Sequence, residues 1–370
     1  MPKRRNGEIV VYIGTYTRKS SPGRGQSEGI YTGRFDPSTG KLTLGGVIKG
    51  LDNPSFLALD SDQRYLYVVE ETDDYEGVFS GAVSAFAINP LSGDLTYLNR
   101  QSSHGAAPCH LTVDDTGGCL LVANYTSGTV SVYPIEEFGQ LAPASQVIQH
   151  KGSSLDANRQ QGPHAHSVNI DPSNRFVYVA DLGIDQVMIY QLMPDKCKLK
   201  PAAMPSVAVQ GGAGPRHFTF HPSGRFAYLI NELNSTITAF THLKAQGELA
   251  EFQTVPALPA DFEGTSHTAD IHVHPTGNFL YGSNRGHNSI VCYAIDPETG
   301  RLTYVAHEST QGRTPRNFAI DSSGSYLLAA NQDTDSIVIF HINQQTGVLT
   351  PTGHIVDVPT PVCIKMIHVS

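Results

Sequence analysis

Five side chains of this 370-residue sequence could together bind a small anion and activate water. They are Arg216, Arg285, Arg316, His166 and Glu232. The planar guanidinium group of arginine suits phosphate or carboxylate. Histidine, with an ordinary pKa of about 6.5, suits general-base work near neutral pH, and a carboxylate can orient such a base or replace it. Because these residues are far apart in the chain, their chemistry depends on a fold that brings them together.

A template of about 50 residues occurs six times in the sequence. Each copy contains an alternating apolar run, a turn that begins at Asp or His, and a second apolar run. These turn anchors are 47 to 57 residues apart: Asp60, Asp114, Asp171, His221, His274 and Asp321. Ten residues after each anchor stands a polar residue: Glu70, Asn124, Asp181, Asn231, Asn284 and Asn331. A polar residue at one phase of every copy indicates a structural repeat.

Each copy continues with a third apolar run, such as GTVSVYPI, and a turn such as DPETGRL that leads into a fourth strand. Period-two alternation between turns predicts antiparallel hairpins. Four strands per repeat of about 50 residues is typical of a propeller blade, and no stretch has a long helical periodicity. We therefore predict an all-β fold, a single seven-bladed β-propeller domain over residues 1–370.

The seventh blade is predicted to be split between the two ends of the chain. The C-terminal TPVCIKMI matches only the first strand of the template. The N-terminal segments IVVYIGTYT, GIYTGRFDPSTGKL and LGGVIKG supply the other three strands. Closing the ring in this way leaves no unpaired terminal strand edge.

Two rings of positions should face one mouth of the central channel. The first strand of a blade lines the channel and the second runs antiparallel to it, so the start of one and the end of the other lie at the same mouth. Five residues before each anchor stand Ser55, Cys109, His166, Arg216, Ala269 and Arg316. Eleven residues after each anchor stand Glu71, Tyr125, Leu182, Glu232, Arg285 and Gln332. These positions differ from blade to blade, which indicates that they are individualised for a ligand.

Other residues near this mouth have both functional and structural interpretations. Neighbours on the same loops are expected to assist substrate binding: His164, His217, His267, Asp270 and Asn317. The pairs His164/His166 and His272/His274 could suggest a metal, but His274 occupies a turn anchor and favours a capping role. No further ligands occur at zinc spacing and no acidic cluster suits calcium, so we expect no metal and no cofactor. Glu70 and Glu71 precede the acidic TDDYEG and are expected to be solvated.

Composition excludes several classes of function. The formal net charge of −9 argues against a general binder of nucleic acid or of a membrane surface. No stretch approaches the 18 apolar residues of a membrane helix, and the N-terminus does not resemble a signal peptide. The five cysteines are odd in number and widely spaced, which favours buried thiols in a reducing cytoplasm. The motifs GxSxG, P-loop and dinucleotide fingerprint are absent from the sequence.

Three segments, GPRHFTFHPSGRFAYLINELNS, ADIHVHPTGNFLYGSNR and TPRNFAID, together with the blade template, resemble the seven-bladed propeller lactonase family. That family includes bacterial 6-phosphogluconolactonases and the carboxy-cis,cis-muconate lactonising enzyme. The resemblance covers essentially the whole chain. It implies that His166, Arg216, Glu232 and Arg285 match the catalytic His, Arg, Glu and Arg of the muconate enzyme, whereas Arg316 comes from the ring argument alone.

The resemblance implies a hydrolase that opens 6-phosphoglucono-δ-lactone in the pentose phosphate pathway, and the cysteines favour a cytoplasmic location. A base would activate water while arginines stabilise the oxyanion. His166 or Glu232 could be the base, and the residues do not decide between them. Two alternatives stay open: a muconate-type cycloisomerase, and a non-catalytic propeller that serves as an interaction platform. The expected partner is a small anionic sugar lactone; the oligomeric state is not indicated.

Overall fold

The computed structural model describes residues 9–19 and 25–369 and shows seven four-stranded antiparallel sheets. The predicted seven-bladed propeller is confirmed. Two short 3₁₀ turns, Pro194–Lys196 and Gln332–Thr334, each connect two consecutive strands. Within the described ranges, no helix is long and apolar enough to cross a membrane. The basic N-terminal residues before Ile9 lie outside the described part of the chain.

Six blades are continuous in sequence, and their strands follow one another from the channel outward. The first has β4 (Phe56–Leu59), β5 (Tyr65–Glu70), β6 (Ala82–Ile88) and β7 (Leu95–Ser102). The second has β8 (Pro108–Val113), β9 (Cys119–Asn124), β10 (Thr129–Pro134) and β11 (Gln146–Gln149). The third has β12 (Ala165–Ile170), β13 (Phe176–Asp181), β14 (Gln186–Met193) and β15 (Lys198–Ala208).

The next three blades repeat this arrangement. The fourth has β16 (Pro215–Phe220), β17 (Phe226–Asn231), β18 (Thr236–Leu243) and β19 (Glu248–Pro256). The fifth has β20 (His267–Val273), β21 (Phe279–Arg285), β22 (Ser289–Ile295) and β23 (Leu302–Ser309). The sixth has β24 (Pro315–Ile320), β25 (Tyr326–Asn331), β26 (Ser336–Ile342) and β27 (Leu349–Asp357).

The seventh blade joins the two ends of the chain, as the sequence predicts. It contains β28 (Pro361–His368) as its innermost strand, followed by β1 (Ile9–Thr15), β2 (Gly29–Asp36) and β3 (Lys41–Lys49). The antiparallel register pairs Ile9 with His368 and Thr15 with Pro361. The ring is therefore closed by strand pairing between distant parts of the chain.

The turn anchors explain why the repeat has its phase. Oδ1 of Asp171 accepts hydrogen bonds from the backbone N–H groups of Arg175 and Phe176, at 2.8 and 2.7 Å. His274 at the same position accepts from the N–H of Thr276 through Nδ1, at 3.2 Å. Its Nε2 donates to the carbonyl of Gly324 in the next blade, at 2.8 Å. The predicted capping role of His274 is confirmed, and the histidine adds a bond between blades.

Apolar side chains fill the spaces between neighbouring blades. One cluster joins the second and third blades through Leu121, Val130, Val168 and Val179, which are all fully buried. Burying one such side chain contributes about 1.5–3 kcal/mol. Similar clusters between other blades hold the inner strands in place, so the channel wall is a fixed support for the side chains that project from it.

The cysteine prediction needs a correction. The structure pairs Cys119 of β9 with Cys197 as a disulfide, with Cα atoms 5.6 Å apart, a spacing that disulfides require. The sequence did not indicate this disulfide, because the two cysteines are far apart in the chain and meet only where adjacent blades pack together. The other three cysteines are buried thiols, as expected: Cys109, Cys292 and Cys363.

Candidate active site

A β-bulge in the first strand of most blades aims the first-ring side chain into the channel. In β16, Pro215 pairs with Asn231 and His217 with Ile230, so Arg216 is the extra residue. His166 and Arg316 occupy the same bulged position in β12 and β24. Bulges re-aim side chains without disturbing the rest of the ladder. Because the bulge is shared, the same position of each repeat points into the channel, whichever side chain that position carries.

These side chains surround a cavity of about 660 Å³ at one mouth of the channel. Ring residues from six blades line it: Glu71, Cys109, Tyr125, His166, Glu232, Arg285 and Arg316. His267 and residues from surrounding loops complete the wall: Arg18, Asn53, Thr72, Asp73, Ala107, Thr126 and Arg159. The structure therefore brings His166, Glu232, Arg285 and Arg316 to one cavity. Its volume suits a ligand of small-molecule size.

Glu232 is the centre of the charge arrangement. Its Oε2 accepts from Nε of Arg216 and Nη2 of Arg285, both at 2.9 Å. Its Oε1 accepts from Nη2 of Arg159 at 2.7 Å. Three guanidinium groups thus share one carboxylate, which leaves the group with an excess of positive charge. Such an excess beside a cavity attracts an anion.

The same arrangement fixes the protonation of Glu232. Burial alone would raise its pKa, but Arg285, Arg216 and neighbouring groups hold the pKa well below its usual value. Burial and the charges of Arg285 and Arg316 lower the pKa of Arg216, whose side chain is only 2% exposed. An arginine pKa falls far too little to lose the charge at neutral pH. Glu232 is therefore a carboxylate that holds arginines in place and a weak base.

His166 lies beside Glu232 with its Nε2 3.9 Å from Oε2. Burial, followed by the positive charge of Arg216, lowers the pKa of His166 well below its usual value. The imidazole is accordingly neutral near pH 7 and has a free lone pair. The ring of Tyr125 packs edge-on against it, with centroids 5.3 Å apart. A neutral histidine at the wall of the cavity is suited to accept a proton from water.

The expectation that Glu70 and Glu71 are solvated was wrong for Glu70, which is buried, whereas Glu71 is half-buried. Glu70 is 3% exposed and is bonded to Arg100 at 2.7 Å. Glu71 lines the cavity, and its Oε2 accepts from the hydroxyls of Ser55 at 2.5 Å and Tyr16 at 2.9 Å. The acidic segment that follows suggested a surface loop, but the second strand ends at the buried Glu70, and the next residue, Glu71, is half-buried at the cavity wall.

Arg316 differs from the other arginines of the site. Its guanidinium lies over the ring of Tyr16, 5.6 Å from the centroid. Among the described residues, it makes no hydrogen bond or ion pair with a carboxylate. Burial alone would lower its pKa, but Tyr16 and Glu71 raise it overall, so its charge is fixed. Arg316 thus lines the cavity with a charge that no carboxylate of the described residues binds directly.

The other residues predicted to bind substrate divide into two groups. His267 lines the cavity, and its Nδ1 is buried without a hydrogen-bond partner among the described residues. His164 stacks on Tyr125 with centroids 4.6 Å apart and bonds the carbonyl of Tyr125, so it lies behind the cavity wall. The structure places His217, Asp270 and Asn317 deeper in the channel, bonded to one another and away from the wall of the large cavity.

Arg159 and Arg18 were missed by the sequence analysis. Arg159 comes from the loop between β11 and β12 and also donates to the hydroxyl of Tyr125, at 3.1 Å. The interval from Asp114 to Asp171, the longest between anchors, was a signal of extra loop residues there. Arg18 follows β1 in the split blade and bonds Asp52 and Asp74. Both residues lie outside the repeated phases, so the repeat did not indicate that they face the cavity.

The described residues contain no group of three or more His, Cys, Asp and Glu side chains placed to hold a metal. His272 bonds Asp270, and His274 bonds its own turn and Gly324. These two histidines therefore have separate structural partners. The chemistry available in the cavity is that of arginine, histidine and carboxylate.

The fold and the site together define a seven-bladed propeller with an arginine-rich cavity at one mouth of its channel. Residues 10–366 match the model of the family described as Lactonase, 7-bladed beta-propeller. The chain belongs to this family and is a lactonase.

Named relatives match most of the chain or nearly all of it. A 6-phosphogluconolactonase of Bacillus subtilis is 37% identical over 364 residues, which is 98% of this chain and 99% of the relative. A 6-phosphogluconolactonase of Formosa agariphila is 35% identical over 85% of this chain and 86% of its own length. The solved structure of a periplasmic gluconolactonase of Pseudomonas aeruginosa is 34% identical and has a TM-score of 0.91. It covers 98% of this chain and 100% of its own.

Proposed function

We propose that this lactonase hydrolyses 6-phosphoglucono-δ-lactone to 6-phosphogluconate, a step of the pentose phosphate pathway. The observation that carries the proposal is Glu232 held by three arginines beside the neutral His166. This arrangement provides both a site for an anion and a base. Two relatives that match most of the chain carry the name of this activity.

The phosphate of the substrate would bind at Arg316 and its neighbours. Arg316 has no carboxylate partner among the described residues, so its charge is available to a ligand. On the preceding blade, Nε of Arg285 and Nδ1 of His267 are buried without a hydrogen-bond partner in the described part of the chain. A buried donor without a partner costs about 1–3 kcal/mol, which an anionic ligand can recover.

His166 would act as the general base. It takes one proton from a water molecule while the water oxygen bonds to the lactone carbonyl carbon. Arg285 stabilises the oxyanion that forms, and Glu232 keeps that arginine in place. The ring C–O bond then breaks, and His166 returns the proton to the ring oxygen, which becomes a hydroxyl. The new carboxylic acid loses its remaining proton to solvent. Glu232 is the poorer base, because its pKa is held well below the usual value.

The experiment compares purified protein with three substrates. Freshly prepared 6-phosphogluconolactone should lose its ring faster with protein than in buffer, with acid release followed in a pH-stat. Glucono-δ-lactone tests for the activity after which the Pseudomonas relative is named. A muconate-type lactone tests the cycloisomerase alternative. If no lactone reacts faster than in buffer, the interpretation as a non-catalytic platform is favoured.

We also propose a cytoplasmic location and a small anionic sugar lactone as the partner. A phosphorylated sugar cannot cross a membrane freely, so its lactonase must work where the sugar phosphate is made. The Pseudomonas relative, by contrast, is named as a periplasmic gluconolactonase. Cell fractionation with antibody detection decides the location. Recovery of the protein outside the cytoplasm would favour a non-phosphorylated lactone.

A further inference from the structure

Beneath the large cavity, the channel contains a second cavity of about 10 Å³. First-ring residues from six blades enclose it: Ser55, Cys109, His166, Arg216, Arg316 and Val362. Phe56, Glu71 and His217 complete its wall. It shares Glu71, Cys109, His166 and Arg316 with the large cavity and so lies directly below the floor of the proposed substrate site. A cavity of this size has room for about one water molecule, provided that two to four polar groups face it.

Arg216 provides one such group. Its Nε donates to Glu232 at 2.9 Å and its Nη1 donates to the carbonyl of Ala269 at 2.5 Å. Its third nitrogen, Nη2, has no hydrogen-bond partner in the described part of the chain. Because Nη2 is not among the buried atoms that have no partner, it faces accessible space, where it can donate to an acceptor such as a water oxygen.

His217 provides a second group. Its Nδ1 lies 2.8 Å from Oδ1 of Asp270. Burial alone would raise the pKa of Asp270, but His272 and His217 hold it well below the usual value, so Asp270 is ionised and only accepts. Burial, followed by the charge of Arg216, lowers the pKa of His217 to about 4. The neutral ring therefore carries its single proton on Nδ1, which leaves Nε2 as an acceptor.

The groups around His217 and Asp270 keep these two side chains bonded to each other. The rings of His110 and His166 pack edge-on against His217, with centroids 5.3 and 5.5 Å away. The other oxygen of Asp270, Oδ2, accepts from Nδ2 of Asn317 at 2.5 Å and from Nε2 of His272 at 2.9 Å. Asp270 is therefore held from both sides and cannot turn away from His217.

We propose that the small cavity binds one water molecule between His166 and His217, and that the Asp270–His217 pair positions this water for attack on the lactone. The water accepts from Nη2 of Arg216 and donates one hydrogen to Nε2 of His217. Its other hydrogen is then directed to the base, His166. His217 and Asp270 are positioning residues. The attack rests on the proposed function, whereas the water site rests on the cavity alone.

The first test replaces His217 with Asn. The amide nitrogen of Asn occupies nearly the place of Nδ1 and keeps the bond to Asp270, but nothing replaces Nε2. We expect kcat to fall by roughly 10–100-fold, because a misplaced reactant can cost about 10²-fold. KM should stay within about threefold, since His217 does not line the large cavity. His242→Gln is the matched control, because His242 is equally buried but bonds Gly224 and Tyr178 away from the channel.

Asp270→Asn and the double variant with His217→Asn give a readout that a purely structural role would not. An amide at position 270 can donate to Nδ1, which reverses the tautomer of His217 and the direction of the water. The two losses in kcat should not add, because both variants remove the same positioned water. Additive losses, or His217→Asn with wild-type kcat, would overturn the positioning role.

A high-resolution crystal structure of the ligand-free protein tests the water site independently. It should show one ordered water within hydrogen-bond distance of both Nη2 of Arg216 and Nε2 of His217. An empty cavity overturns the proposal even if the protein is an active lactonase. A water in place together with no activity on any lactone means that the proposed function has failed and the water site has not.

Discussion

At the scale of single residues, some arginines of the site bind a carboxylate of the protein itself, and another is available to bind the ligand. Arg216, Arg285 and Arg159 are bonded to Glu232, whereas Arg316 lies over Tyr16 without a carboxylate partner in the described chain. Because the first three bind the same carboxylate, that of Glu232, they keep one another in position. Arg316 is the one whose loss should change ligand binding without disturbing that geometry.

Replacing Arg316 with Gln should therefore weaken binding of the phosphorylated lactone. A hydrogen bond to a charged group contributes about 1.5–3 kcal/mol, so we expect KM to rise by roughly 10–100-fold. The KM for glucono-δ-lactone, which has no phosphate, should change little. Steady-state kinetics with both substrates measure the difference. Arg225→Gln is the control, because Arg225 lies over Phe226 in the same way but does not line the cavity. Equal losses for both substrates would contradict the assignment of the phosphate to Arg316.

Replacing Glu232 with Gln should destabilise the protein, because it leaves three arginines without their anion. Removing one partner of a buried ion pair typically costs about 3–5 kcal/mol. Phosphate should raise the melting temperature of this variant more than that of the wild type, since the added anion replaces the lost charge. Because the folded-state pKa of Glu232 is lowered, its contribution is present above the ordinary glutamate pKa of 4.5 and is lost as the pH falls below it. The difference in stability should therefore narrow below about pH 4.5.

The pH dependence of activity tests His166 as the base. Its pKa is lowered, so protonation should reduce kcat only at pH values below 6.5. A histidine with an ordinary pKa would lose half its activity at about pH 6.5. The phosphate of the substrate itself titrates near pH ~6, so the profile should be measured with glucono-δ-lactone as well. His166→Gln should lower kcat by roughly 10²–10⁴-fold and remove the acid limb. A limb that persists in this variant would point to another base.

At the scale of elements, the turn anchors decide how each blade meets the next. His221 and His274 replace the Asp of other blades and donate through Nε2 to Gly277 and Gly324 of the following blade, at 2.9 and 2.8 Å. An ionised aspartate accepts from the backbone N–H groups of its own turn but has no proton to donate to a carbonyl of the next blade. The imidazole thus combines a local turn with a link between blades.

The two functions of His274 can be separated by substitution. His274→Asp should keep the turn but lose the bond to Gly324, which costs about 0.5–1.5 kcal/mol. His274→Ala should lose both and cost more. Chemical denaturation with a fixed slope measures these differences. If the Asp variant is as unstable as the Ala variant, the link between blades is the dominant contribution and the turn is not.

The repeat made much of the fold and part of the site predictable. A phase that recurs every 47 to 57 residues fixed the blades, the split seventh blade and the ring that brings Arg216, Glu232 and Arg285 together. The repeat could not reveal Arg159, because a loop between blades has no phase. It also gave no measure of depth along the channel. His217 and Asp270 share a strand with the ring residues or follow them directly, yet they lie below the cavity floor.

At the scale of the whole molecule, the ring is held by one strand from the C-terminus. β28 buries Val362, Cys363, Ile364 and Ile367, each at most 2% exposed. At about 1.5–3 kcal/mol for each side chain, these contribute roughly 6–12 kcal/mol, which is comparable to the total stability of a typical domain. Val362 also occupies the first-ring bulge of the seventh blade and encloses the small cavity. The strand β28 therefore closes the ring and completes the channel floor at the same time.

A circular permutant tests whether the closed ring depends on the order of its strands along the chain or only on their presence. New termini between β27 and β28, with a flexible linker from residue 370 to residue 1, make all seven blades continuous. The pairing of Ile9 with His368 shows that the described ends lie side by side. We expect the permutant to fold and keep kcat within about threefold, because every strand is present and the ring residues keep their places. Its unfolding should be faster, since no blade then ties one end of the chain to the other.

Deleting residues 361–370 is the matched comparison for this permutant. This truncation loses the burial of β28 and exposes the edges of β1 and of the neighbouring inner strands, so we expect a chain that does not fold cooperatively. Thermal unfolding, unfolding rates in denaturant and lactonase kinetics compare the three proteins. A permutant that unfolds as slowly as the wild type would mean that the shared blade contributes only its buried surface. In that case the covalent order of its strands has no part in keeping the ring closed.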